Sequence, residues 1–293
     1  MLEPGVYPAS VTPMHADGSV DTPSLVRLLA HFKAAGCKGV VLAGTNGEGP
    51  SLSAVEKRDM VRAIVPVFPE LKIVAGIATP SLDEAIWLAG QAHKAGAAAG
   101  LVMAPGYFRE ASEEGIARWF EALFDATELP ILVYNFPQRT GIEIGHGLMG
   151  RLARHPRMVG LKDSSGNVAN LDGYAKALAG TGKTLFVGNE ALLWEALGKA
   201  WTGTISGAAN CIPAWLAAVV EAFVKGDLDS GEAKFGIASP GIEALRGIPQ
   251  PQVNKAILHR LGVLPSGALR LPLEDAPVDV VERAWSVVGP LAV

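Results

Sequence analysis

Short apolar runs alternate with stretches of helical periodicity along almost the whole chain. Each run is apolar on both faces, as is typical of strands in a parallel sheet that is covered on both sides. The sequence contains eight such runs, at 5–11, 38–44, 71–77, 99–104, 130–135, 158–163, 184–188 and 203–207. The pattern therefore predicts eight parallel strands.

The segments between these runs have the spacing of amphipathic helices. Two sets show it most clearly: Leu25, Leu28, Leu29, Phe32 and Ile116, Trp119, Phe120, Leu123. Ser53 with Glu56, and Ser81 with Glu84, have the spacing of a capping box, which predicts a helix start at each serine. Eight strand–helix repeats predict a (β/α)8 TIM barrel, since a doubly wound sheet needs fewer strands and usually carries a glycine fingerprint after the first.

The pattern becomes purely helical after residue 208. Four helical segments follow, at 213–224, 230–247, 252–262 and 277–289. We interpret the first as the last helix of the barrel and the other three as additions to it. The predicted organisation is a barrel over residues 1–225 and a C-terminal helical region over 226–293 that packs on it.

Composition narrows the class of protein. Of 293 residues, 49% are hydrophobic and 18% are charged, which favours a large core and argues against disorder. A net charge of −4 without a basic cluster favours neither a nucleic-acid nor a membrane partner. Cys37 and Cys211 predict two free buried thiols, and the six scattered histidines predict no metal site. No cofactor is expected.

The N-terminal sequence gives an expectation for the compartment. The stretch MLEPGVYPAS lacks the basic and apolar regions of a signal peptide. No apolar segment reaches the ~20 residues that span a bilayer. We therefore expect a cytoplasmic protein.

Polar side chains gather where the predicted strands end. In a (β/α)8 barrel the carboxyl ends of the strands form one face, and that face carries the chemistry. We therefore expect these residues to meet at one mouth. They are Thr45, Asn46 and Glu48 after the second strand, Tyr107 and Arg109 after the fourth, Tyr134 and Arg139 at the fifth, and Lys162 at the sixth.

Lys162 follows an apolar run, where a charged amine is costly. A desolvated lysine is partly neutral and can attack a ketone to form a Schiff base, while a phenol such as that of Tyr134 can move the protons this requires. Three other interpretations stay open on the residues alone. Lys162 could pair with Asp163, Tyr134 could be a core aromatic, and the GTNGEG turn could merely join a strand to a helix.

Five motifs carry a family resemblance. They are SVTPMHADGSVD (10–21), GTNGEGPSLSAVEK (44–57), YNFPQRTG (134–141), GLKDSSGN (160–167) and GTISGAAN (203–210). In this order and spacing the chain resembles the dihydrodipicolinate synthase / N-acetylneuraminate lyase family of class I aldolases. The resemblance covers nearly the whole chain and implies a (β/α)8 barrel with a C-terminal helical region.

The resemblance implies a role for each matching residue. Lys162 would form a Schiff base with pyruvate or another 2-oxo acid, and Tyr134 would act as general acid and base. Thr45 would relay protons, and Tyr107 would complete that relay from a neighbouring subunit, which implies a homotetramer built as a dimer of dimers. The residues assigned to substrate binding are Asn46, Arg139, Gly188 and Ile205.

Some positions depart from the synthase pattern. Asn46 stands where synthases usually have a second hydroxyl, and Gly106 stands where lysine-sensitive members have a tyrosine. The resemblance implies a lyase that condenses pyruvate with aspartate semialdehyde. The alternatives are an aldolase for 2-keto-3-deoxy sugar acids or 4-hydroxy-2-oxoglutarate, and a catalytically silent regulator that binds pyruvate.

Overall fold

A computed structural model describes residues 2–292 of the chain. Its eight strands are parallel and follow the order β1-β8-β7-β6-β5-β4-β3-β2 in one sheet. They are β1 Gly5–Pro8, β2 Gly39–Leu42, β3 Lys72–Ile77, β4 Ala99–Met103, β5 Ile131–Asn135, β6 Met158–Asp163, β7 Thr184–Val187 and β8 Gly203–Ser206. Each lies within one of the predicted runs, so the strand prediction is confirmed.

The sheet closes between β1 and β2. Ala9 forms an isolated parallel bridge with Val41, and the Ser10 N–H donates to the Val41 carbonyl at 3.0 Å. At the other end of the pair, the Lys38 N–H donates to the Val6 carbonyl at 3.1 Å. The strands therefore form a barrel, which confirms the predicted fold class.

Twelve α-helices surround or follow the strands within residues 2–292. Those up to the last barrel helix are α1 Thr22–Ala34, α2 Ala54–Ile64, α3 Leu82–Lys94, α4 Glu113–Ala126, α5 Pro137–Thr140, α6 His146–Leu152, α7 Ala169–Ala177, α8 Leu193–Gly198 and α9 Pro213–Val224. Three more follow: α10 Leu228–Leu245, α11 Gln250–Arg260 and α12 Val278–Val288. The three added helices are confirmed, and the domain boundary at residue 225 stays a prediction.

Both predicted capping serines begin helices. Ser53 Oγ accepts from the Glu56 N–H, and the Glu56 carboxylate accepts from the Ser53 N–H at 2.8 Å, so this capping box is complete. Ser81 Oγ accepts from the Glu84 N–H, but the Glu84 carboxylate accepts from Thr79 Oγ1 at 2.6 Å. The Thr79 hydroxyl thus occupies the Glu84 carboxylate that would complete the capping box at Ser81.

The core has two layers. One lies between the sheet and the helices and includes the predicted helix faces, of which only Trp119 is partly exposed. The other fills the barrel, where Tyr7, Tyr134, Phe186 and Ile205 pack together. Because strand residues alternate between these layers, a side chain at a strand end faces either the barrel axis or the helices. No helix within residues 2–292 has the length and apolarity needed to cross a membrane.

Candidate active site

Tyr134 and Lys162 lie side by side inside the barrel. They are register partners on β5 and β6, and both are buried, at 4% and 5% exposure. Lys162 Nζ lies 4.2 Å from the centroid of the Tyr134 ring. A primary amine and a phenol are therefore held together at the carboxyl end of two strands, as the sequence predicts.

Ser164 and Gly188 complete the surroundings of this pair. Ser164 Oγ donates to Tyr134 Oη at 3.3 Å. A Cβ at Gly188 would collide with Ser164 Oγ and would lie 2.9 Å from Lys162 Cε. Gly188 therefore leaves room for both side chains, and its assignment to substrate binding stays a prediction. Ser164 received no role from the sequence, although its position two residues beyond Lys162 was a signal that it lies close by.

The proposed pairing of Lys162 with Asp163 does not occur. Lys162 forms no ion pair within residues 2–292, and the Asp163 carboxylate instead accepts from the Asn135 side chain at 2.8 Å and from Ser165 Oγ at 2.7 Å. Burial raises the pKa of Asp163 above its usual value, and the hydrogen bonds from Ser165 and Asn135 oppose that shift. Successive strand residues point to opposite faces, so Asp163 cannot follow Lys162 into the barrel.

An open cavity of about 390 Å³ lies at the same end of the barrel. Thr45, Tyr107 and Arg139 line it together, as predicted for residues that meet at one mouth. Met103 also lines it and is the register partner of Tyr134 on β4. The cavity therefore adjoins the strand position at which Tyr134 lies.

An aromatic ring connects the cavity wall to the buried pair. Phe136 stacks on Tyr134 with 5.7 Å between ring centroids, and Arg139 Cζ lies 6.0 Å from the Phe136 centroid. Arg139 belongs to the short helix α5, which begins at Pro137 directly after β5. The guanidinium is thus placed at the mouth, outside the apolar interior.

Asn46 is occupied by the C-terminal region. Its Nδ2 donates to Gln250 Oε1 at 3.3 Å, and its Oδ1 accepts from Asn254 Nδ2 at 3.4 Å. Asn46 is buried at 8% exposure and does not line the cavity within the part of the chain that is described. Its assignment to substrate binding stays a prediction.

The remaining predicted residues differ sharply in exposure. Ile205 is fully buried and packs in the same cluster as Tyr134. Tyr107 is 79% exposed and stacks edge-on against Phe108, which is itself 65% exposed. A phenol this open to solvent contacts little of its own chain.

Sequence reasoning missed a buried ion pair beside the candidate site. Glu48 and Lys255 form it with side-chain exposures of 0% and 1%. Glu48 follows Thr45 by three residues, whereas Lys255 lies on α11, far along the chain. Local periodicity carries no signal for such a contact. The only hint was a lysine at the end of the stretch RGIPQPQVNK.

Comparisons with known proteins agree with this geometry. The model of the family described as "Dihydrodipicolinate synthetase family" matches residues 3–284. The chain is similar to 4-hydroxy-tetrahydrodipicolinate synthase 1 of Streptomyces coelicolor, with 35% identity over 289 residues that cover 97% of this chain and 92% of that protein.

Solved structures extend the similarity to three dimensions. The chloride-inhibited dihydrodipicolinate synthase from Acinetobacter baumannii, solved with pyruvate, superposes with a TM-score of 0.92 at 30% identity, covering 99% of both chains. A monomeric dihydrodipicolinate synthase variant superposes with a TM-score of 0.92 at 27% identity, covering 98% of this chain and 96% of that one.

Proposed function

Because this chain belongs to the dihydrodipicolinate synthetase family, we propose that it is a lyase with the activity of a 4-hydroxy-tetrahydrodipicolinate synthase, an enzyme of lysine biosynthesis. It would condense pyruvate with aspartate semialdehyde. The observation that carries the mechanism is the placement of Lys162 Nζ 4.2 Å from the Tyr134 ring, in a buried pocket that adjoins an open cavity.

In the proposed reaction Lys162 supplies the nucleophile. Its Nζ forms a bond to the keto carbon of pyruvate and gives up two protons, with which the keto oxygen leaves as water, and the result is an imine. Loss of a methyl proton then yields an enamine, whose carbon attacks the aldehyde while the aldehyde oxygen takes up a proton. The amino group that came with aspartate semialdehyde then attacks the imine carbon, which closes the ring, breaks the bond to Lys162 and returns Nζ as the free amine. Each step moves a proton near Lys162, and the hydroxyls of Tyr134 and Ser164, which are hydrogen-bonded to each other, can carry it.

The cavity favours a short aldehyde that carries a carboxylate. Arg139 places a cation on its wall, where a guanidinium can bind a carboxylate through two hydrogen bonds. Much of the remaining lining is apolar, from Pro50, Ala78, Pro80, Met103 and Ala104. Thr45, Thr79, Tyr107 and Thr140 add hydroxyl groups to the lining, so the preference for aspartate semialdehyde rests on Arg139.

The exposed aromatic pair supports the predicted assembly. Tyr107 and Phe108 present adjacent rings on the loop after β4, beside the cavity. We take this loop to be the contact that brings the relay tyrosine to a second subunit in a homotetramer. Sedimentation that finds a fully active monomer would remove Tyr107 from the relay. The cytoplasmic location also stays a prediction.

Reduction with borohydride tests the mechanism. The enzyme is incubated with pyruvate, reduced and digested, and we expect one pyruvate-derived mass on the peptide that contains Lys162. Lys162→Ala should lose both the label and the activity. Lys183→Ala is the matched control, because Lys183 directly precedes β7 and so lies at the opposite end of the barrel. A label on another lysine, or full activity of Lys162→Ala, would contradict the proposal.

An aldehyde panel tests the substrate. Aspartate semialdehyde, glyoxylate and glyceraldehyde are offered with pyruvate, and only aspartate semialdehyde should be condensed rapidly. Arg139→Ala should raise KM for aspartate semialdehyde at least tenfold and leave KM for pyruvate within about twofold, since a charged hydrogen bond contributes roughly 1.5–3 kcal/mol. A preference for glyceraldehyde would favour the sugar-acid aldolase instead.

A further inference from the structure

The turn that carries Thr45 is held in an unfavourable backbone conformation. Ala43 and Glu48 bracket it, and both have positive φ angles, of 54° and 55°. Residues other than glycine rarely adopt this left-handed backbone region, so contacts with other parts of the molecule must maintain the conformation of the turn.

A buried carboxylate supplies those contacts. One oxygen of Glu48 accepts from Lys255 Nζ, and the other accepts from the Arg270 N–H at 2.9 Å. Lys255 Nζ also donates to the Ala268 carbonyl at 2.7 Å. Burial lowers the pKa of Lys255, and the hydrogen bond to Glu48 opposes that shift. The two charges therefore depend on each other, because each would be left buried without its partner.

The rest of the turn is held as well. Gln250 and Asn254, one helical turn apart on α11, hydrogen-bond to the Asn46 side chain. The Gly47 carbonyl accepts from Thr12 Oγ1 at 2.7 Å. By contrast, the Thr45 hydroxyl makes no hydrogen bond within residues 2–292, and Thr45 lines the cavity. The neighbours of Thr45 in this turn are thus hydrogen-bonded to other parts of the fold, and Thr45 itself lines the cavity.

We infer that Lys255 is a positioning residue for the condensation, which acts through Glu48 to hold the Thr45 turn so that its hydroxyl faces the cavity. The inference rests on the proposed function, together with the proton-relay role that the family resemblance implies for Thr45. It gives the C-terminal region a part in the reaction, although none of its residues lines the cavity within the described chain.

Two variants test this role. Glu48→Gln keeps the shape of the side chain and removes its charge. The double variant Glu48→Gln/Lys255→Met removes both charges, so that neither is left unpaired. We expect each to lower kcat about tenfold to a hundredfold, the cost of a misplacement near 1 Å. KM for pyruvate should stay within about twofold, and borohydride should still label Lys162 completely. The double variant keeps the test available if Glu48→Gln, which leaves Lys255 buried without its partner charge, does not fold.

Arg260→Met is the matched control. Arg260 lies on the same helix, bonds Glu282 at 2.7 Å and lies 4.4 Å from the centroid of the Trp285 ring, so its loss loosens α11 without touching the turn. Its kcat should stay within about twofold of wild type. An equal loss of kcat in Arg260→Met would show that any loosening of α11 lowers kcat, and it would overturn the inference.

A mutant cycle decides whether the effect passes through Thr45. In a Thr45→Val background, the same two variants should lower kcat by less than about twofold, because the hydroxyl they position is gone. Wild-type kcat in both variants, or an undiminished effect in the Thr45→Val background, would overturn the inference and leave the proposed function standing. A wild-type enzyme that borohydride does not label at Lys162 would overturn the proposed function, and the inference with it.

Discussion

Asn135 and Asp163 are bonded across β5 and β6 at 2.8 Å, one residue beyond Tyr134 and Lys162 on the same two strands. Because strand residues alternate, this outward-facing bond locks the register of the inward-facing pair. Asn135 is fully buried, and its Oδ1 also accepts from the Ile144 N–H at 3.0 Å. A single amide thus ties together two strand ends and the segment that precedes α6.

Asn135→Ala should destabilise the protein and slow the reaction. It leaves the Ile144 N–H unsatisfied, which costs about 1–3 kcal/mol, and it removes one of the two donors to Asp163 Oδ1, whose other donor is the Ser165 N–H. Urea unfolding should report this loss, and kcat should fall with it because the register of Tyr134 and Lys162 relaxes. Ser165→Ala is the control, since Asp163 then keeps its bond from Asn135. Equal losses in the two variants would argue against a special role for Asn135.

Tyr134→Phe should lower kcat by ~10²–10⁴, the usual contribution of a general acid or base, with little change in KM for pyruvate. Tyr7→Phe is a matched control, because Tyr7 packs in the same interior cluster but bonds the backbone of Glu3. Steady-state kinetics of both variants decide the matter. If Tyr134→Phe turned over at the wild-type rate, Tyr134 would be a packing residue.

Arg270 should stabilise the fold in a pH-dependent way. Its hydrogen bonds lower the pKa of Glu56 from 4.5 to about 2. A lowered carboxyl pKa gives stability that is complete above pH 4.5 and is lost as the pH falls toward 2. Arg270→Met should therefore cost about 1–3 kcal/mol in urea unfolding near neutral pH, and less as the pH falls below 4.5.

The part of that cost that comes from the Gly18 and Ser51 carbonyls does not titrate and should remain at acid pH. Arg283→Met serves as the comparison, because its pair with Asp279 is exposed on both sides and should contribute little at any pH. A cost for Arg270→Met that does not vary between neutral pH and pH 3 would show that Glu56 is not the group involved.

Free lysine should inhibit this enzyme weakly. The family resemblance implies that lysine-sensitive members have a tyrosine at the position of Gly106. A Cβ at Gly106 would lie 2.6 Å from the Thr140 carbonyl oxygen. The loop therefore packs on the Thr140 backbone and offers neither ring nor hydroxyl to an effector. Initial rates are measured against lysine concentration with pyruvate near its KM, alongside a lysine-sensitive family member. Half-inhibition at submillimolar lysine would contradict the prediction.

Local sequence signals were sufficient for the barrel and for the buried pair. Runs that are apolar on both faces indicated each strand. The carboxyl end of a strand lies at the mouth of the barrel, so the sequence could place Lys162 and Tyr134 close together. The interpretation that Lys162 pairs with Asp163 is wrong, because adjacent residues on a strand point to opposite faces of the sheet. The capping box predicted for Ser81 and Glu84 is only half formed, because the Glu84 carboxylate accepts a hydrogen bond from Thr79 instead of from the Ser81 N–H.

Long-range contacts were beyond such signals. The pair of Glu48 with Lys255, and that of Asn46 with Asn254, join residues more than 200 positions apart, where neither periodicity nor spacing specifies a partner. Ser164 is an intermediate case: its closeness to Lys162 was readable, but its bond to Tyr134 depends on how β5 and β6 align. Tertiary geometry, which local patterns do not contain, decided each of these.

The separation of 207 residues between Glu48 and Lys255 also has a consequence for biosynthesis. A ribosome adds roughly 5–20 residues per second, so on the order of 10–40 s pass between the synthesis of Glu48 and that of its cation. During this time the carboxylate has no partner to bury it, and the left-handed turn has little reason to form. A nascent chain can pair its strands early, but it completes its catalytic mouth only when the C-terminal helices have left the exit tunnel.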